Sequence, residues 1–519
     1  MRYHHGSSRK LDHTDDVSAH SPYVPASALG DAPADSSAFA IAFGFAGKHW
    51  LTVSGISILI LAPCFWHREI VASDLGSHLY NAWLVQLIHR GQSPGLWIAP
   101  QRTNILFDII LSNLGSIFGL RAAEKLTVSL AVLTFFWGTF TFISAAVRRA
   151  PWYLLPCIAL VTYGWTFHLG FFNYYLSLGI SFFGLALWWR GKGWERLSLL
   201  VIAPLVYIAH PLGLMWLLGA AAYIGIAEML PRRHYQWLFC IAVAASLFGV
   251  HIYIWHHYVA DHGARPFYSF NGADQLVLFG ERYRVLARAL LVFALVSIVV
   301  DLIRRRREPS ALRYYSIPIQ LYILAMFSVL LLPDAIHFPP PTATIALLTE
   351  RLTSITAVIG CCVLGAMHPR KWHLAATAVI AVVFLAFLYQ DTAIVNRMEA
   401  QAVHLVGRLP PNQRVLATIE PFPGSRILNQ HIIDRACIGR CFSYGNYEPG
   451  SRVFRVRATP RNPYVLDSYE LATETEQGDY LVQPRDLPLY EIYQCGENGT
   501  EICMRTLKAG EYNGKAPDE

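Results

Sequence analysis

The sequence predicts a polytopic α-helical membrane protein. We expect about eleven transmembrane helices, amphipathic surface helices in the first outer loop, and a small C-terminal extracytoplasmic domain of α+β or mostly β structure. Three observations carry this. Of 519 residues, 54% are hydrophobic and 15% charged, where soluble proteins average about 25% charged. Apolar runs alternate with short basic clusters, the positive-inside pattern. Beyond about Gln390 the pattern changes to alternating polar and apolar residues with many turn formers. The net charge of +7 lies in those inter-span clusters, so no nucleic-acid partner is expected.

Residues 1–47 are rich in Ser, Asp, His, Ala and Pro and lack the apolar core of a signal peptide. They read as a disordered cytoplasmic tail. Residues 48–390 form the membrane domain. Its first span is expected at about Trp50–Trp66 and its second at Leu126–Val147. Between them lies a long outer loop with two helical stretches, Asp74–Arg90 and Asn104–Phe118, split by a Gly-Pro turn. The remaining spans are expected at Trp152–Phe167, Phe171–Trp189, Leu197–Ala209, Leu212–Leu230, Trp237–Trp255, Val285–Ile303, Tyr314–Leu332, Thr344–Met367 and Leu374–Tyr389.

An odd span count puts the termini on opposite sides. Lys48, Arg148, Arg149, Arg190, Lys192, Arg232, Arg233, Arg370 and Lys371 sit in very short loops on one side. That side is cytoplasmic with the N-terminus, and residues 391–519 lie outside, in the periplasm of an inner (plasma) membrane protein.

Nine cysteines divide accordingly. Cys64, Cys157, Cys240, Cys361 and Cys362 lie in spans as small apolar residues. Cys437, Cys441, Cys495 and Cys503 form two close pairs in the outer domain, which favours local disulfides over a zinc site. Asn498-Gly-Thr500 is a glycosylation sequon.

Ionisable groups at membrane depth are functional candidates. Asp74 and His78 are four residues apart and share a helix face with Asn81, and Leu75, Leu79, Ala82, Trp83 and Leu87 form an apolar stripe. Asp-x-x-x-His is also a two-ligand set for a divalent metal. Glu350 and Arg351 lie near the outer end of the tenth span, where a guanidinium fork suits a phosphate. His168, Asn173, His210 and His337 are expected at the same membrane face, among dense aromatics. The bland alternatives are an internal Glu–Arg ion pair, structural histidines and an ordinary interfacial aromatic belt.

This layout resembles the GT-C superfamily of integral-membrane glycosyltransferases, which includes protein mannosyltransferases, aminoarabinose transferases and arabinosyltransferases. The residues that carry the resemblance are Asp74 in SDLGSHLYNAWL, the string HLGFFNYYLSLG, the two first-loop helices and Glu350–Arg351. It covers Trp50–Tyr389 in layout. It implies a polyprenyl-phosphate-linked sugar as donor, a glycan, lipid or protein as acceptor, Asp74 as general base and Arg351 at the donor phosphate. His78 would orient Asp74 or hold a metal. Many members carry two acidic residues in the first loop; here Leu75 and Gly76 follow Asp74, leaving His78, Asp108 or Glu124 for the second role. The rivals are a transporter or flippase of lipid-linked saccharides and a non-catalytic scaffold. Transporters commonly show internal repeats. This chain shows none, and its polar candidates gather at one face, which favours surface chemistry.

Overall fold

A computed structural model describes residues 47 and 49–514, apart from 262–266, 306–310, 339–343, 369, 422–424, 428, 430, 452–453 and 497–498. The expected N-terminal tail, bar residue 47, and the sequon asparagine lie outside the described residues. In chain order the helices are α1 (Trp50–Phe65), α2 (Leu75–His89), α3 (Leu106–Phe118), α4 (Leu120–Val147), α5 (Leu155–Thr162), α6 (Trp165–His168), α7 (Phe172–Arg190), α8 (Trp194–Leu197), α9 (Leu199–Ala209) and α10 (Pro211–Met229). They continue as α11 (Arg233–His257), α12 (Glu281–Arg305), α13 (Ala311–Leu331), α14 (Leu348–Gly365) and α15 (Lys371–Val406).

Among the described residues six helices are long and apolar enough to cross a membrane: α4, α10, α11, α12, α14 and α15. The eleven expected spans are thus not all of that kind, for physical reasons. The third breaks at Tyr163–Gly164 into α5 and α6, neither long enough for the roughly 30 Å hydrocarbon layer. The fifth is α9, whose 11 residues enclose Pro204 and rise only about 16 Å. The fourth, α7, carries Asn173, Ser177 and Ser181 and is buried over most of its length by its neighbours. It packs against α4 closely enough to leave no room for a side chain there: a Cβ on Gly138 would lie 2.3 Å from the Gly179 carbonyl oxygen. The first span, α1, has 16 residues.

The first-loop helices also depart from the expectation of a surface hairpin. Helix α3 is amphipathic, with Phe107 and Leu111 buried and Ile117 and Phe118 exposed. Helix α2 is mostly buried, because the C-terminal region covers it. A Cβ on Gly76 would meet the His431 carbonyl oxygen at 2.3 Å. The Tyr80 hydroxyl accepts a hydrogen bond from the Ser443 amide at 3.0 Å.

The last span does not stop at Tyr389. Helix α15 has 36 residues, about 54 Å, and runs on into the C-terminal region. That region contains a four-stranded sheet of β5 (Phe442–Ser443), β4 (Arg414–Thr418), β7 (Leu489–Cys495) and β8 (Glu501–Leu507), in that order. Strand β4 runs parallel to β5 and β7, and β7 pairs antiparallel with β8. Helices α16 (Ile432–Cys437), α17 (Tyr447–Ser451) and α18 (Tyr469–Gln477) intervene. Two further pairings join distant loops. Strand β1 (Leu96–Ile98) of the first loop pairs with β6 (Val456–Ala458), and β2 (Val259–Asp261) pairs with β3 (Ala335–His337).

Disulfides join Cys437 to Cys441 at the end of α16 and Cys495 to Cys503 across β7–β8, with Cα separations of 4.6 and 5.8 Å. The other five cysteines are free and buried. Thiol counting on the denatured chain should therefore give five without reductant and nine with it. Nine without reductant would contradict the pairing.

Candidate functional site

Asp74 precedes α2, but its side chain does not cap the helix. The approach to α2 is laid along the turn after α6. The Ser73 amide donates to the His168 carbonyl at 2.8 Å, and the Asp74 amide to that of Leu169 at 3.1 Å. This needs Gly170, which has φ +80°, and whose Cβ would lie 2.6 Å from the Asp74 nitrogen. The Asp74 carboxylate is left 22% exposed. Burial pushes its pKa up, against the pull of His431, His78 and Arg351.

His78 turns towards Asp108 rather than Asp74. Its Nδ1 donates to Asp108 Oδ1 at 2.6 Å, and its Nε2 faces the Gly170 carbonyl at 3.3 Å. Two acceptors suit a doubly protonated ring. Burial opposes that charge, but Asp108 outweighs it and holds His78 at about 9. Asn173 completes the chain. Its Nδ2 donates to Asp108 Oδ2 at 2.7 Å, while its Oδ1 accepts from the Phe107 amide at 2.8 Å, fixing the start of α3. The stacked rings of Phe107 and Phe172 wall this group.

Arg351, in the first turns of α14, lies within electrostatic reach of Asp74. Its guanidinium sits 4.4 Å over the Phe171 ring and donates through Nη1 to the Ala346 carbonyl at 2.8 Å. Its Nε is buried without a hydrogen-bond partner among the described residues. The Tyr174 hydroxyl donates to the Arg351 carbonyl at 2.8 Å. The Glu350 carboxylate accepts from Thr349.

The structure thus gathers Asp74, His78, Asp108, Asn173 and Arg351. His210 stands beside them as the cap of α10, accepting from the Leu212 amide, with its ring edge-on to Tyr174. His168 is buried behind Asp74, its Nδ1 donating to the Val71 carbonyl. Asn81 serves a link to the C-terminal region. It accepts from Asn446 and donates to Ser77, whose hydroxyl donates to Glu448 Oε1 at 3.0 Å. His337 lies apart, in the β2–β3 pairing with Asp261 and Thr344.

The C-terminal region adds what sequence reasoning missed. His431 places Nε2 3.7 Å from Asp74 Oδ1, while its Nδ1 donates to Asp434 Oδ2 at 2.7 Å. Burial disfavours the charged ring, but Asp434 and Asp74 outweigh it, raising His431 to about 9. Glu448 and Glu476 are each pushed up to about 7 by burial. The sequence signal was His431-x-x-Asp434, one helical turn apart, but nothing local ties that turn to a loop some 350 residues earlier. Among the described residues no group of three His, Cys, Asp or Glu side chains is placed to hold a metal ion.

Comparison with protein-family models, curated proteins and solved structures finds no match for this chain.

The charge states at this seam predict a pH response. Both His78 and His431 rise from the ordinary 6.5 to about 9. Their contribution to stability is full below pH 6.5 and fades as pH climbs through 9. The Glu448 and Glu476 carboxyls, raised from 4.5 to about 7, work in the same direction at lower pH. Limited proteolysis should release the C-terminal region faster at pH 9.5 than at pH 6, the pH values being set by those shifts. Faster release at pH 6 would contradict this.

Proposed function

We propose that this chain is an integral-membrane glycosyltransferase of the GT-C kind. It moves a sugar from a polyprenyl-phosphate donor to an acceptor at the outer face of the membrane. The observation that carries the reading is the meeting of Asp74 and Arg351. A partly open carboxylate that does not cap its helix, and a guanidinium whose buried Nε has no hydrogen-bond partner among the described residues, come from elements 277 positions apart to within electrostatic reach of each other, though not into contact. They meet where the membrane helices end and the C-terminal region begins, which is where a lipid-borne donor and a water-borne acceptor would meet.

In this reading Arg351 binds the donor phosphate with its planar fork, and the lipid tail lies along the apolar helices. An acceptor hydroxyl attacks the anomeric carbon. Asp74 takes the hydroxyl proton as the new carbon–oxygen bond forms. The bond from the anomeric carbon to phosphate breaks, and the electron pair leaves with polyprenyl phosphate, whose charge Arg351 stabilises. Asp108 and Asn173 hold His78, which completes the wall of the site. The C-terminal region, periplasmic by the charge pattern of the short loops, positions the acceptor, whether glycan, lipid or protein. The sequence arguments against a flippase of lipid-linked saccharides stand beside this reading.

Asp74→Asn keeps the shape of the side chain but removes the base. Transfer should fall by roughly 10²–10⁴-fold, the usual worth of a positioned acid or base, with binding of polyprenyl phosphate little changed. Arg351→Ala should weaken that binding first. The readout is the cellular glycan that disappears when the gene is deleted. Its persistence at wild-type level in cells carrying the Asp74→Asn protein would overturn the assignment.

A further inference from the structure

Asp74 needs a compensating charge, and the membrane helices do not supply it at contact distance. The His78 ring is spent on Asp108 and the Gly170 carbonyl. The Arg351 Nη1 is turned to the Ala346 carbonyl. The nearest charge to the Asp74 carboxylate is His431, 3.7 Å away and only 5% exposed, and it belongs to the C-terminal region. We infer that His431, oriented by Asp434, is the positioning residue that keeps Asp74 ionised, so that the transferase site is complete only with the C-terminal region docked on α2. This rests on the proposed transferase reading and adds to it the partner of its base.

The geometry is that of a carboxylate–imidazole–carboxylate line. Asp434 Oδ2 accepts from Nδ1 at 2.7 Å and fixes the ring, which leaves Nε2 3.7 Å from Asp74 Oδ1. At 3.7 Å the approach to Asp74 is an ion pair rather than a hydrogen bond, and a carboxylate beside each nitrogen favours the imidazolium. Docking is enforced at three places around it. The His431 carbonyl lies against Gly76, where no Cβ fits. Strand β6 pairs with β1 of the first loop. Arg435, one turn along α16 from His431, is ion-paired with Glu69, Glu124 and Glu399. The other charged or titratable groups that act on His431 are Glu476 from α18 and the ring neighbour Tyr447 from α17. Asp74 feels His431, His78, Arg351 and Asp434. It also acts on Glu448, Glu476 and Tyr447. Besides Asp74 that set holds three cations and three carboxylates, so losing His431 leaves two cations against three carboxylates.

The chemical consequence is definite. In the resting site Asp74 is the proton acceptor and His431 holds its proton throughout. The acceptor hydroxyl proton ends on Asp74, and the imidazolium makes Asp74 available for it at lower pH than its burial would allow.

The test is the pH profile of transfer in membrane vesicles from cells expressing the full chain. It follows the same deletion-dependent glycan on the endogenous lipid donor. His431→Gln should move the acid limb up by about one pH unit, a tenfold loss at the acid end. His431→Lys, which restores a cation, should return the limb towards wild type, and Asp434→Asn should move it in the same direction as His431→Gln. An unshifted limb in His431→Gln, with Asp74→Asn inactive, overturns this inference and leaves the transferase reading in place. An active Asp74→Asn overturns both. Should the variants fail to fold, ring ¹⁵N shifts of His431 in the wild-type chain in lipid nanodiscs decide the matter. An imidazolium at neutral pH is expected, and a neutral ring overturns the inference.

Discussion

The structure depends on one buried guanidinium. Arg435 lies 3.2 Å from Glu69 and from Glu124 and 3.6 Å from Glu399, and donates to the Ile70 carbonyl at 3.1 Å. Those partners come from the segment after α1, the first turns of α4 and the far end of α15. One side chain of the C-terminal region thus ties three membrane elements together. Taking such charges out of water is costly and is offset only when the pairing is complete; removing one partner of a buried pair typically costs about 3–5 kcal/mol. Lys125, donating to the Cys64 and His67 carbonyls, adds a second positive charge beside the cluster. With Arg435 fixed, α16 can lie only one way, and His431, a turn earlier, is carried to Asp74.

The same constraint explains why α2 carries so many buried polar groups. Ser77, Asn81, Asn446 and Glu448 form a closed hydrogen-bonded strip between α2 and the C-terminal region. A surface helix would offer such groups to water. Here they pair across a seam, where an unsatisfied buried group would cost about 1–3 kcal/mol. The seam therefore fixes one register of the C-terminal region on the membrane helices, and the partly open Asp74 carboxylate lies at its edge.

Much of the fold was legible because lipid imposes a local rule. Helices α11 and α12 are long and apolar and have few buried residues, so their spans could be read from composition alone. The rule weakens where protein replaces lipid as the surrounding. Helix α7 tolerates Asn173 because Asp108 and the Phe107 amide satisfy it, and Ser177 because its hydroxyl donates back to the Tyr174 carbonyl of the same helix; the break at Gly164 serves the buried Gln275, whose Oε1 accepts from Thr166. In the site, the membrane half was legible as ionisable residues near helix ends: Asp74, His78, Asn173 and Arg351. The other half was not, because His431 and Glu448 meet those residues only through contacts more than 350 positions apart. His337 fits the sequence criterion as well as His78 does, yet the β2–β3 pairing takes it elsewhere.

Most directly at stake is whether a lipid-linked phosphate sits between Arg351 and Asp74. An experimental structure of the full chain in a lipid nanodisc with polyprenyl phosphate bound decides this. The account predicts the phosphate oxygens within hydrogen-bonding distance of the Arg351 guanidinium, the lipid tail along the membrane helices, and the Asp74 carboxylate beside the head group with His431 behind it. A phosphate bound remote from Arg351, with the Asp74–His431 seam closed to it, would contradict the account.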